Sequence, residues 1–277
     1  MKYSQKWIQR IVLILIGIAI LSINGLPPKN TDQPDQMDFN KWELEWLEDF
    51  SGTSIDTTVW RFMGRQKHGS WKYHSNHPEN YELRNGILTL KGIKNDGSIS
   101  DTATYLTGGI YTKGKKAFPA GKFEIRAKIK SAYGGTAAIW LMPFNRENGW
   151  PADGEIDIME HARHSSNVSQ TVHTSYTKTH PSEAPKRTAW VKVNSEDFNV
   201  YGVEIFKDSL VFFVNQTKTL VYPKVNRLSD SGQFPFLRDW FILLNVNLNV
   251  GNNDSISLRE LPVEMSVDWV KYYRLKD

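Results

Sequence analysis

The sequence predicts an all-β fold, a sandwich or jelly roll of antiparallel strands, on three observations. Short apolar-polar alternating runs recur from residue 42 onward, separated by Gly, Pro, Asn and Ser clusters, the pattern of sandwiches rather than of βαβ units. Over the same stretch no run has the 3.6-residue apolar period of an amphipathic helix. Aromatic residues are in surplus, with ten Trp, eleven Tyr and thirteen Phe, which suits a large β core or a surface that stacks flat ligands. A length of 277 residues fits one undivided all-β domain.

Taken in order, residues 1–25 read as a secretory signal. Lys2, Lys6 and Arg10 precede a 13-residue apolar run over 11–23. As a helix that run is roughly 20 Å long, short of the ~30 Å hydrocarbon core, and the basic start fits an export signal; an uncleaved signal-anchor is the rival. Residues 26–41, with three Pro before Lys41, read as a flexible tether. Residues 42–277 are then the folded body, and the protein is expected to be exported.

Within that body, residues 81–91 (YELRNGILTLK) make two strands around Asn85-Gly86, a strong hairpin signal. Residues 122–130 (KFEIRAKIK) alternate throughout, with Phe123, Ile125, Ala127 and Ile129 on the buried face. Residues 210–214 and 220–222 flank a turn over 215–219, and 241–250 and 265–273 are further strands. No internal repeat or linker divides the body.

Charge and cysteine content narrow the function. The chain carries 34 basic and 30 acidic residues, but three of the basic ones lie in the export segment, which leaves 31 against 30. That balance argues against nucleic acid as the partner. With no Cys there are no disulfides, thiol nucleophiles or Cys-ligated zinc sites.

The most informative stretch is 154–161 (GEIDIMEH). On a regular strand Glu155, Asp157 and Met159 share a face and Glu160 points away. One extra residue between Asp157 and Glu160, a β-bulge, would bring Glu160 back to join the other two. Acids crowded on one face repel, so at least one should keep its proton near neutral pH. A charged and a protonated carboxyl are what glycoside hydrolysis needs. The alternatives are a solvated acidic edge strand and a carboxylate calcium site, the latter short of further oxygen ligands. Trp140, within the strand-like run 134–143, and Trp150 lie close to the acids and offer flat platforms to sugar rings.

Residues 150–161 (WPADGEIDIMEH) resemble the active-site signature of glycoside hydrolase family 16, the laminarinase, agarase and lichenase group, in its Glu-x-Asp-x-x-Glu form. Residues 47–52 (LEDFSG) are similar to the family's opening strand, 107–129 to its edge strand and a following cleft strand, and 202–213 with Asn215 and 267–273 to its last strands. The resemblance implies a concave β-jelly-roll of two antiparallel sheets, as a single domain, that cleaves internal β-linkages with retention. By it Glu155 is the nucleophile, Glu160 the general acid/base, and Asp157 hydrogen-bonds the nucleophile between them. Trp140 and Trp150 stack sugars. His173, which shares a strand face with Thr171, reaches substrate or Glu160. Glu124 and Arg126 lie on the polar face of a cleft-side strand, a face that is either cleft or solvent, and Trp71, Tyr73, His74 and Asn80 belong to a substrate-binding loop. No cofactor is required, and a structural calcium on the convex face would take Asp268 as a ligand.

Two departures stand out. A family Gly-Gly-x-Trp element is missing its Trp at 249–253 (NVGNN), and 165–170 (SSNVSQ) lacks a Gly-containing turn. Residues 170–177 (QTVHTSYT) are similar to members acting on galactose-containing chains, including endo-acting host-glycan hydrolases of gut bacteria. The expectation is a monomeric endo-β-glycanase on poly-N-acetyllactosamine or mucin-type chains, with an endo-β-1,3-glucanase as the alternative. A non-catalytic lectin on the same sandwich, or a transglycosylating surface protein, is the reading from another class.

Overall fold

The computed structural model describes residues 40–69, 71–162, 165–226, 232–248 and 256–276. The expected export segment, the tether up to residue 39 and the departure at 249–253 lie outside the described residues.

In chain order the strands are β1 (Trp42–Glu48), β2 (Arg61–Phe62), β3 (Tyr81–Arg84), β4 (Ile87–Lys94), β5 (Tyr105–Thr107), β6 (Gly109–Tyr111), β7 (Lys122–Lys130) and β8 (Gly135–Pro143). They continue with β9 (Glu155–Ala162), β10 (Asn167–His173), β11 (Thr188–Lys192), β12 (Asn199–Ile205), β13 (Ser209–Val214), β14 (Thr217–Pro223), β15 (Trp240–Leu248) and β16 (Val263–Leu275). A five-residue helix, α1 (Ser175–Thr179), follows β10, capped by Thr174 and Thr177 bonding each other's backbone.

The strands form two antiparallel sheets, as the alternation predicts. One runs β14-β13-β12-β7-β16-β4-β3, with β1 added to β16 and β5 to β4; the other runs β11-β10-β9-β8-β15-β6-β2. Phe123, Ile125, Val203, Phe212 and Val267 of the first sheet share one buried core with Ile139, Leu141, Ile156, Ile158, Ile242 and Leu244 of the second. Each such side chain contributes about 1.5–3 kcal/mol by leaving water, and this apolar layer fixes which residues of β8, β9 and β15 must face outward.

Local sequence explains the turns. Asn85 (φ 53°) and Gly86 (φ 73°) both sit at positive φ, which a two-residue turn matching strand twist demands. The second hairpin is tighter than expected: only Asn215 and Gln216, at φ 48° and 68°, separate β13 from β14, so strand pairing resumes at Thr217.

The structure corrects one placement. β7, read as a cleft strand, lies in the nine-stranded sheet between β12 and β16. Its polar face therefore turns away from the acids: Arg126 Nη1 pairs with Asp268, and Glu124 holds Lys122 at 2.9 Å and accepts from the Tyr273 hydroxyl at 2.7 Å. Alternation reports a polar face but neither which sheet it belongs to nor that Lys122 and Glu124 on it are buried. The same contact bears on calcium. The carboxylate of Asp268 already faces a guanidinium, a donor set that does not fit a metal ion, and no metal is assigned there.

Candidate active site

Strand β9 lies between β8 and β10, and both registers break at the same place. Trp140 stands opposite Asp157 while Ile139 stands opposite Met159; Thr171 stands opposite Asp157 while Ser169 stands opposite Glu160. β9 thus spends one extra residue between Asp157 and Glu160, the bulge that the acid spacing predicts. The consecutive residues Ile158 and Met159 show why: both are fully buried in the inter-sheet core, which a regular strand could not do with neighbours. Burying both returns Glu160 to the outer face beside Glu155 and Asp157.

The outer face is built in rows, because residues directly opposite in antiparallel strands project together. One row reads Thr171, Asp157, Trp140, Leu243 and Tyr111. The next reads Ser169, Glu160, Ala138, Asn245 and Gly109. Beside the acids, Met63, Met142, Phe241 and Leu243 form a second apolar cluster that floors a cavity of about 480 Å³, walled by Trp71, Trp150, Arg146 and Lys113.

Each carboxyl has its own surroundings. Glu155 accepts a hydrogen bond from the Trp150 indole Nε1 at 2.5 Å. Burial pushes its pKa up, and the Trp150 bond, His173 and Arg146 pull the other way without cancelling that rise. Asp157, 2% exposed, accepts from His173 Nε2 at 2.9 Å, and its Oδ1 has no hydrogen-bond partner. Burial raises it to about 6; the His173 bond opposes the rise and the charge of Glu155 adds to it. Glu160 is pushed up to about 7, first by burial and next by the charge of Asp157. The Trp140 indole N–H faces it and works slightly in the other direction, though that nitrogen makes no hydrogen bond of good geometry. His173 is raised: burial would lower it, but the Asp157 bond and the charges of Glu155 and Glu160 outweigh burial.

Asp157 therefore bonds His173 rather than Glu155, and His173 reaches Asp157 rather than Glu160. Trp150, 52% exposed, stands at the rim with the Lys178 ammonium 4.9 Å from its ring centre. Trp140 lies stacked on Trp71 at 6.5 Å between ring centres. Of the expected binding loop, Trp71 lines the cavity, whereas His74 and Asn80 are fully buried. His74 faces the Thr107 carbonyl at 3.3 Å, Asn80 donates to the Lys91 carbonyl, and Tyr73 packs edge-on against Tyr105. Those three hold the loop rather than line the cavity. Arg146 and the floor residues Met63, Phe241 and Leu243 gave no local sequence signal, since each reads as an ordinary loop charge or core apolar.

Glu155, Asp157 and His173 present ligand atoms within 4.8 Å of one another, a set that a divalent ion could share. Proton chemistry uses the same atoms, with one acid hydrogen-bonded from an indole and another protonated near neutrality. Such a pair of unlike carboxyls on one outer face of the sheet supports acid-assisted cleavage of an acetal.

Comparison with known proteins points the same way. Residues 77–270 match the family described as Glycosyl hydrolases family 16. The chain is 30% identical over 238 residues to a keratan-sulfate endo-1,4-beta-galactosidase of Sphingobacterium multivorum, covering 84% of this chain and 56% of that enzyme. It is 27% identical over 276 residues to a beta-glucanase of Rhodothermus marinus, covering 94% of this chain and 92% of the other. It also superposes, at a TM-score of 0.74 and 27% identity, on a solved structure reported with endo-acting O-glycanases that human gut microbiota express to initiate mucin breakdown, covering 84% of this chain and all of that one.

Proposed function

This chain belongs to glycosyl hydrolases family 16, and on that premise we propose that Glu155 and Glu160 carry out a retaining cleavage of internal β-linkages in galactose-containing glycans. That it is an endo-β-glycanase follows from the family and its relatives; the roles, the stereochemistry and the substrate are the proposal.

The observation that carries the roles is the unequal pair on β9. Glu160, raised to about 7, supplies the proton to the leaving glycosidic oxygen. Glu155, positioned by the Trp150 N–H, attacks the anomeric carbon as the carbon–oxygen bond breaks. Glu160, now charged, takes a proton from water, which attacks the glycosyl–Glu155 ester and releases a sugar of unchanged configuration. Asp157 widens the difference by raising Glu160, while the His173 charge lowers both carboxyls. A lectin would gain nothing from three crowded acids, two of them buried, that repel beneath its ligand.

For the substrate, the galactosidase and O-glycanase matches favour poly-N-acetyllactosamine or mucin-type chains. The glucanase match keeps β-1,3-glucan as the second reading. A macromolecular glycan also suits the export expected from residues 1–25. Incubating the protein with keratan, mucin O-glycans and laminarin and sizing the products tests this. Oligosaccharides from keratan or mucin are expected; oligosaccharides from laminarin alone would move the assignment to glucan, and monosaccharide alone would contradict internal cleavage.

A further inference from the structure

We propose that Trp190 is a distal sugar-stacking platform that extends the substrate track across the sheet to its β11 edge. Trp190 is 71% exposed, more than any other large hydrophobic side chain among the described residues. An indole left that bare in water forgoes one of the largest burial gains a side chain has, so its position asks for a ligand. β11 itself gives no packing reason for the exposure: Ala189 is buried and Val191 packs on the inter-sheet core, and alternation then turns Trp190 to the opposite, outer face.

Register fixes where on that face it stands. Trp190 is directly opposite Ser169 on β10, and Ser169 is directly opposite Glu160 on β9. Trp190 therefore occupies the same row as the acid/base candidate, two strand spacings or about 10 Å away. The residue between them is a serine, which leaves the row low, and Ala138 on the other side of Glu160 keeps it low there too. A shallow track thus crosses the strands over Glu160, with Trp190 as its flat wall at one end. The cavity floored by Met63, Phe241 and Leu243 lies on the other side of the acids, so a chain seated there and passing over Glu160 arrives at Trp190. The occupant is a pyranose ring of the same glycan, not adjacent to the bond being cut, presenting its apolar C–H face to the indole.

The inference rests on the glycan-cleaving assignment, and its test separates the two. An inactive Glu155→Gln protein, with and without Trp190→Ala, is titrated calorimetrically with keratan-type and laminarin oligosaccharides of increasing length. With Trp190 present, affinity should step up once the chain is long enough to reach β11. Trp190→Ala should remove that step, weakening the longer chains about tenfold or more, and Trp190→Tyr should restore most of it. Equal affinities in the presence and absence of Trp190 at every length would overturn the platform while leaving the enzyme assignment standing. Binding of neither oligosaccharide series would overturn both. Circular dichroism melts check that the edge-strand change leaves the fold in place.

Discussion

Replacing Glu160 by Gln should destroy activity and stabilise the protein, and the two effects come from one cause. In the folded protein burial and the charge of Asp157 lift this carboxyl from 4.5 to about 7. A folded pKa above the unfolded one means the folded state binds more protons between those values. Stability therefore falls as pH rises from about 4.5 to about 7, and the whole cost is present above that window. The interval corresponds to about 3 kcal/mol, of which partial exposure of the side chain to water leaves on the order of 2 kcal/mol. Glutamine has the same shape and no charge, so it escapes this cost. For a body of this size a change of that order moves the melting temperature by about 5 °C. Calorimetry at pH 8 should show the variant melting higher than the parent, and at pH 4 the two should coincide. Initial rates on a cleavable glycan should fall 100-fold to 10,000-fold, the range for losing a general acid. A variant that melts lower at pH 8, or that melts higher while keeping near-normal rates, would refute the reasoning.

Related changes probe the neighbours. Asp157→Asn removes the charge that is the second cause of the Glu160 rise, so the basic limb of the kcat/KM profile should move to lower pH; a limb that stays in place contradicts the coupling. Trp150→Phe deletes the hydrogen bond that lowers Glu155, and the acidic limb should move to higher pH in the same assay. Gly202→Ala tests the core: its new Cβ would lie 2.2 Å from Phe213 Cζ and 2.7 Å from the Phe123 carbonyl oxygen. Both neighbours are buried, so denaturant melts should show a loss of about 3 kcal/mol or more; an unchanged midpoint would mean the interface between β12 and β13 is looser than it looks.

How much of this the sequence discloses depends on whether the signal is local. The bulge is local, since the Glu-x-Asp-x-x-Glu spacing and the adjacent apolar pair Ile158-Met159 both demand one extra residue on β9. The hairpin at Asn85-Gly86 is local for the same reason, a backbone conformation that those two residues adopt readily. The sheet assignment of residues 122–130 is not local. Their alternation is equally compatible with either sheet, and only pairing with β12 and β16 places Arg126 beside Asp268 and away from the acids. His173 shows the intermediate case. Alternation puts it on the outer face correctly, but its partner depends on β10 running opposite β9 in a register that sets His173 against Glu155, within reach of Asp157. Trp190 was legible in principle, because an aromatic between Ala189 and Val191 must face away from them; the sequence does not say that this face also carries Glu160.

The most direct test is to titrate the Glu160 carboxyl itself, by carbon NMR of selectively labelled protein, with Glu160→Gln used to assign its resonance. A midpoint near pH 7, moving to lower pH in Asp157→Asn, is the expected result. A midpoint near 4.5 would leave no proton for the departing sugar at neutral pH, and the division of labour between Glu155 and Glu160 would be wrong.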